Sequence, residues 1–349
     1  MAAQLLPALR GAHDGVIEEI AVSRKTALGG GPVRVVPGGF LLKRLSAPWR
    51  QLAISPLLGR IPSAGQVMIQ TEPCLYTRVR NDSRLVVFLY DLIPLLVPQD
   101  YLAKASPMER WLLRTRQPER FRTAHKVVAI SHEVERCGIQ LIGLDPSRIE
   151  VIYPGLNHSG SDVAPENDVK APFFLHVGAI ESRKNIRRLV QAFAEAPIPQ
   201  DHLLVFAGPM APFRIAMLEG WAAEFGVTSR IRVLGHVTDS ALRALYRDCL
   251  AFAFPSLHEG FGFPPLEAMS HGTPVLASNS SCLPEVLGDA ALWCDGLDVA
   301  SIAEAIGKLA SRSDLRGDLR QRGPVQAARY TWERCGRNLS DLVRSLEAA

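Results

Sequence analysis

A chain of 349 residues, 47% hydrophobic and 21% charged, is long enough for two globular domains and, without a run of 18 apolar residues, offers no membrane-spanning helix. Its net charge of +4 suits an anionic ligand or lipid surface and does not call for nucleic acid. The six cysteines, Cys74, Cys137, Cys249, Cys282, Cys294 and Cys335, are scattered with no C-x-x-C pair, which argues against a disulfide framework or zinc cage and for a reducing compartment.

The opening MAAQLLPALRGAHDG is too short and too mixed for a signal peptide. Strands are predicted at 16–23, 33–38, 66–71, 84–91, 126–131 and 149–155, with longer segments at 40–65 and 95–123 between some of them. The stretch 157–172 is polar, rich in Pro, Gly and Ser, and lacks periodicity, so it reads as a linker. Beyond it the pattern is regular. An apolar strand at 173–179 is followed by helical spacing over 185–196 (Ile186, Leu189, Val190, Phe193). Then come a strand at 202–208, a helix at 212–226, a strand at 231–235 and a helix that Asp239 is placed to cap. Strands at 251–256, 274–278 and 291–294 alternate with short helices. A last helix over 331–346 carries Leu339, Leu342, Val343 and Leu346 on one stripe. Apolar strands alternating with helices mean a parallel sheet covered on both faces, an α/β architecture.

In an open parallel sheet, ligands bind beyond the carboxyl ends of the strands. Three such ends carry chemistry. After 173–179 come Arg183 and Lys184; after 231–235 come His236 and Val237, behind Gly235; after 251–256 comes a loop with Glu259, Gly260, Phe261 and Gly262. Pro264 and Pro265 then open a short helix, with Glu267 placed near its first turn and Gly272 closing it. Two carboxylates eight positions apart, one on a glycine loop and one on a helix start, can grip a polyhydroxylated ligand whose phosphates sit at the helix N-terminus. Such a ligand is a nucleotide sugar.

Each element also has a plainer reading. Arg183 and Lys184 could be a solvated pair, although cations at a helix start oppose its dipole by roughly 0.3–1 kcal/mol each, a conflict that a bound diphosphate removes. Glu267 could be a favourable first-turn acid, and the glycines could serve only a tight turn. His176, His236 and His258 read as local hydrogen-bonders, since no pair has metal-ligand spacing. Asp91, at the end of the strand over 84–90, either caps the next turn or lies with Tyr90 at a cleft facing sugar or acceptor. Ser131 reads as an N-cap. Residues 101–126 mix Lys104, Arg110, Arg114, Arg116, Arg120, Arg122 and Lys126 with aromatic and aliphatic residues. A basic helix of that kind either lies on an anionic membrane or, more commonly, docks on its own sheet. No nucleic-acid module accompanies the charge.

HVGAIESRKNIRRLVQAF resembles the start of the C-terminal domain of glycosyltransferase family 4 enzymes, which have the GT-B fold of two Rossmann-like domains facing across a cleft. VLGHVTDSALRALY, SLHEGFGFPPLEAMSHGTPVLASNSSCLPEVLGDAAL and the terminal YTWERC are similar to that family in order and spacing, from about 173 to the end. VVFLYDLIPLLVP and VVAISHEVER fit more loosely, and the YDLIP form is similar to bacterial mannosyltransferases of surface-polysaccharide synthesis. The resemblance implies an acceptor-binding domain over 1–160, a nucleotide-sugar domain over 161–330, and a final helix over 331–349 that crosses back to the first.

It also implies roles. Glu259 would contact donor-sugar hydroxyls and Glu267 the ribose. Arg183 and Lys184 would bind the diphosphate, Gly235, His236 and Val237 would sit beside the base, and the Phe261 and Gly262 amides, with Gly260, would help hold the sugar phosphate. Asp91 would act at the reacting centre, with Tyr90 on the acceptor side. Transfer would proceed with retention and without a metal or other cofactor, the substrate phosphate assisting deprotonation of the acceptor. The implied activity is hexose transfer, above all mannose from GDP-mannose, to a saccharide or lipid-linked acceptor. The implied place is the cytoplasm, with peripheral contact at the inner membrane face through 101–126. A GT-B epimerase and a catalytically impaired nucleotide-sugar-binding subunit are the alternatives. Two departures stand out. Many members have His-Asp where this chain has Tyr90-Asp91, so a catalytic histidine does not carry over. The family begins with a strand and a glycine-rich loop; here LLPAL stands where the first helix would be ending, so either the chain start is incomplete or the first strand is absent.

Overall fold

The computed structural model describes residues 7–8, 11–12, 19–21, 33–35, 67–70, 84–103, 105–157 and 169–348. The chain divides into two units. The first holds Met1–Asn157 together with Tyr330–Ala349, and the second holds His158–Arg329. The expected segment 40–65, most of the 157–172 linker, Cys74, Lys104 and most of the stretch before residue 19, on which the expectation of an absent first strand falls, lie outside the described residues.

In the first unit β3 (Val67–Gln70), β4 (Arg84–Leu89), β5 (Lys126–Ala129) and β6 (Ile149–Val151) form a parallel sheet in sequence order. A parallel pair, β1 (Glu19–Ala21) and β2 (Val33–Val35), stands apart from it. β4 explains why this sheet is an interior one: Leu85, Val86, Val87, Phe88 and Leu89 are all buried, as expected of a strand covered on both faces. Short helices α1 (Ile93–Leu96), α2 (Pro98–Tyr101), α3 (Pro107–Trp111) and α4 (Gln117–Thr123) follow β4. They correct the single basic helix expected over 101–126. Prolines at 98, 107 and 118 restart the chain, a Ser106–Glu109 capping box opens α3, and a π-helical turn spans Leu112–Arg116. After β5, Ser131 caps α5 (His132–Ile142) by accepting from the Val134 N–H at 3.2 Å.

In the second unit six parallel strands run in the order β12-β11-β10-β7-β8-β9. These are β7 (Phe173–Val177), β8 (Leu203–Ala207), β9 (Ile231–Gly235), β10 (Ala251–Phe254), β11 (Val275–Ser278) and β12 (Ala291–Cys294). The order reverses between β7 and β10, the kind of switch point at which open α/β sheets bind ligands. The helices are α6 (Ile186–Glu195), α7 (Pro212–Glu224), α8 (Asp239–Asp248), α9 (Phe263–Ser270), α10 (Leu283–Leu287), α11 (Val299–Ser311) and α12 (Ser313–Ala327). Leu189, Val190 and Phe193 of α6 share one core with Phe174, Leu204, Phe206, Leu218 and Ile306.

Two caps differ from expectation. Thr238, not Asp239, caps α8: its hydroxyl accepts from the Ala241 N–H at 3.2 Å, and Asp239 is the first helical residue. α9 starts at Phe263, behind Gly262 at φ 91°, so Glu267 stands in its second turn.

The final helix α13 (Trp332–Glu347) belongs to the first unit and packs against β3. Gly155, just after β6, passes so close to it that a Cβ would come within 2.2 Å of the Trp332 backbone nitrogen. The Leu156 N–H donates to the Tyr330 carbonyl at 3.0 Å, and Trp332 Nε1 donates to Asn157 Oδ1 at 2.9 Å. The five cysteines among the described residues are buried and free. No helix among the described residues is long and apolar enough to cross a membrane.

Candidate active site

Seventy-odd residues of sequence separate the two stretches that meet where β7 and β10 end. After β7 a 3-10 turn, Ser182–Lys184, precedes Asn185, which sits in the left-handed region at φ 61° at the N-cap position of α6, its side chain making no capping bond. Asn185 is buried and pins this turn to the neighbouring strand ends, donating from Nδ2 to the Pro255 carbonyl at 3.1 Å and to the Gly296 carbonyl at 2.6 Å. The Arg183 carbonyl accepts from the Leu257 N–H at 2.7 Å and from Ser256 Oγ at 3.0 Å.

Fixed in this way, both cations reach Glu259. Lys184 Nζ stands 2.5 Å from Oε1, and Arg183 Nη1 stands 2.9 Å from Oε2. The one Ser256 hydroxyl hydrogen is shared between Oε1, 2.7 Å from Oγ, and the Arg183 carbonyl. Arg183 Nε also meets Glu181 at 2.8 Å. Burial pushes the Lys184 ammonium below its ordinary pKa, and the Glu259 charge opposes that shift. The expected conflict between two cations and a helix dipole is therefore met from within the chain. Arg183 and Lys184 lie in the turn before α6, and Glu181 and Glu259 balance their charge.

The glycine loop is fastened from a third stretch. Ser281, at φ 56°, accepts from the Glu259 N–H at 3.2 Å and donates to the Glu259 carbonyl at 2.9 Å. Phe261 is buried beneath the loop. Ser256 and Ser281 were not singled out from the sequence. Single hydroxyls 3 residues before and 22 residues after the acid give no periodic signal.

Glu267 is positioned differently from expectation. From the second turn of α9 it faces α8, where the Tyr246 hydroxyl donates to Oε2 over a long 3.5 Å. Burial raises the pKa of Glu267, a shift the tyrosine bond only partly offsets. Along the same rim, Gly178 and Gly208 directly follow β7 and β8, and β9 ends on Gly235. The Gly178 N–H donates to the Ala207 carbonyl at 2.9 Å, and the Gly208 N–H to the Gly235 carbonyl at 2.8 Å. A Cβ on Gly208 would come within 3.1 Å of the Gly178 nitrogen, so these backbones pack without side chains between them. His236 beyond β9 is exposed and Val237 half-buried.

In the first unit Asp91 Oδ1 accepts from the Ile93 N–H at 3.0 Å, so it caps the turn into α1. Tyr90 stacks near Phe88, ring centres 6.1 Å apart. Much of the basic segment is held by its own unit. Arg120 is buried against Gln70. Arg122 donates to the Ile142 carbonyl, Arg110 to those of Ala103 and Ala105, and Lys126 to that of Ser147. Trp111 stays 44% exposed, with Arg116 over its ring at 5.4 Å. Among the described residues no group of His, Cys, Asp and Glu is placed to hold a metal ion.

Two parallel-sheet units, one of them with a switch point that gathers two cations, an acid and bare backbone, make up the GT-B architecture. Residues 161–326 match the family described as Glycosyl transferases group 1, and the chain resembles bacterial mannosyltransferases within it. The serotype-specific mannosyltransferase WbdA of Escherichia coli is 31% identical over 266 residues, which cover 71% of this chain and 32% of that protein. The O-antigen chain mannosyltransferase B of Escherichia coli is 38% identical over 171 residues, 47% of this chain and 43% of that one. The chain thus spans about a third to two-fifths of these relatives' length. Among solved structures, the sucrose-phosphate synthase of Thermosynechococcus elongatus superposes with a TM-score of 0.71 at 21% identity, covering 99% of this chain and 92% of that one, a likeness of fold.

Proposed function

We propose that this chain is a retaining hexosyltransferase that moves mannose from GDP-mannose to a saccharide or lipid-linked acceptor in cell-surface polysaccharide synthesis, without a metal or other cofactor. The observation that carries the reading is the grip of Arg183 and Lys184 on the two oxygens of Glu259 at the sheet's switch point. The mannosyltransferase names of the relatives support the sugar.

In this reading Arg183, the more exposed of the two cations, meets the donor diphosphate, and Lys184 shares the charge that grows on it. Amides at Phe261 and Gly262, with Gly260, complete the phosphate cradle. One donor aimed at developing charge is worth roughly 2.7–4 kcal/mol. Glu259, held still by Lys184 and Ser256, presents its carboxylate to sugar hydroxyls. Glu267 takes the ribose hydroxyls, and Gly235, His236 and Val237 border the base. Asp91 and Tyr90 serve the acceptor side. The reading places the chain in the cytoplasm, with Trp111 and Arg114 touching an anionic inner-membrane face.

The test is transfer of labelled mannose from GDP-mannose to a lipid-linked mannoside, with the product's anomeric configuration read by NMR. An α-linked product, retaining the donor's configuration, is expected. Conversion of the donor without acceptor would identify an epimerase. Tight donor binding with no turnover on any acceptor would identify a binding subunit. Salt-sensitive pelleting with anionic vesicles tests the membrane contact, and no pelleting at low salt removes it.

A further inference from the structure

His176, in β7, contributes to neither the ion cluster nor the glycine loop. Its ring is wholly buried. It stacks on Phe254 at 5.8 Å and 15° and on Phe252 at 6.4 Å and 7°. Nδ1 lies 2.9 Å from the Ala253 carbonyl oxygen. A carbonyl only accepts, so Nδ1 carries the hydrogen and Nε2 is left with a lone pair. Burial drives the imidazole pKa down to about 4, which keeps the ring neutral and that lone pair free of a proton. Yet Nε2 is buried and has no hydrogen-bond partner among the described residues. Orphaned buried acceptors are uncommon, and each calls for an explanation.

The surroundings of Nε2 supply one. Apart from its chain neighbours, a Cβ built on Gly178 would meet one atom within 4 Å, His176 Nε2 at 4.0 Å. The nitrogen, itself shielded from solvent, therefore lies one contact distance beneath the place a Gly178 side chain would fill, on the rim where Gly208 and Gly235 stand at the ends of β8 and β9. Lys184 Nζ sits over the Phe254 ring at 4.5 Å. Imidazole, phenyl ring and the Lys184–Glu259 pair thus follow one another along the same strand ends.

We propose that His176 Nε2 is a buried acceptor for the bound donor substrate, taking a hydrogen bond from a hydroxyl or N–H of a nucleotide sugar at the Gly178 end of β7. This rests on the donor-site reading above and adds a specificity-determining residue to it. A lone pair repels phosphate oxygens, which carry no hydrogen to give at neutral pH. The partner group therefore belongs to the sugar, the ribose or the base, and not to the diphosphate.

The experiment titrates the full chain, labelled with 15N-histidine, with inorganic pyrophosphate, GDP and GDP-mannose. The His176 Nε2 resonance is recognised because it does not titrate between pH 5 and 8. It should move upfield on saturation with GDP-mannose and stay put with pyrophosphate. His176→Phe keeps an aromatic ring in the stack and removes the acceptor. It should weaken GDP-mannose about 10-fold by calorimetry, about 1.4 kcal/mol, and leave pyrophosphate unchanged. An unmoved resonance in a chain saturated with GDP-mannose overturns the inference and leaves the donor site standing. So does an equal shift with pyrophosphate. If the unaltered chain binds neither GDP nor GDP-mannose, the donor-site reading fails and this one with it. Should His176→Phe not fold, the titration of the unaltered chain decides alone.

Discussion

Lys184 Nζ and Glu259 Oε1 are 2.5 Å apart, and their side chains are only 8% and 9% exposed. An ion pair taken so far out of water contributes little net stability as a pair, but each charge is costly without the other, by roughly 3–5 kcal/mol. Glu259→Ala and Lys184→Met should each lower the unfolding free energy from urea titration by that order, through a lower midpoint at unchanged m-value. The double variant should recover most of the loss. Additive losses in this cycle would show that the pair is not coupled. Both single variants should also lose turnover.

Glu267 gives the opposite sign. Its folded pKa is raised by burial above the ordinary 4.5. As pH rises past that ordinary value, the unfolded chain gives up its proton before the folded one, so stability falls and stays lower above the folded pKa. Glu267→Gln should therefore be more stable than the parent at pH 7, with the two melting curves converging below about pH 4. The same substitution should weaken nucleotide binding. Unchanged nucleotide affinity by calorimetry would remove the ribose role, and a constant stability difference from pH 4 to 7 would remove the burial argument.

Backbone contact between Gly155 and Trp332 leaves no room for a methyl group. Gly155→Ala should destabilise the first unit and speed hydrogen exchange along α13. Gly317→Ala is the contrast: it lies in α12 with nothing within 4 Å of its Cβ position, and should stabilise by roughly 0.5–1 kcal/mol. Equal effects of the two would contradict the close approach.

Metal-free transfer predicts the same initial rate in excess chelator as without it. Dependence on added magnesium or manganese would replace Arg183 as the principal partner of the leaving diphosphate.

The strand and helix alternation over 173–294 was legible because the strands are largely apolar and four of them close on Gly178, Gly208, Gly235 or Pro255. Arg183, Lys184 and Glu259 were legible as a group because parallel topology brings strand ends to one rim. The turn holding Glu267 was not. Where α9 starts depends on the left-handed backbone at Gly262, and the two prolines pointed one residue too late. Thr238 and Asp239 are adjacent residues of equal capping chemistry, so the pattern could not choose between them. The Ser106–Glu109 box was visible in S-P-M-E, but a run of arginines with aromatic partners suggested one continuous basic helix. Ser256, Ser281 and the orphaned nitrogen of His176 depend on tertiary approach and have no counterpart in spacing.

The Leu156–Tyr330 hydrogen bond has a consequence for the architecture. The chain leaves the first unit and re-enters it at adjoining points, so residues 158–329 are an insertion with its departure and return tied together at the base. Losing residues 331–349 would consequently strip a helix from the unit that holds Tyr90 and Asp91, while the sheet that bears Glu259 would keep every one of its strands.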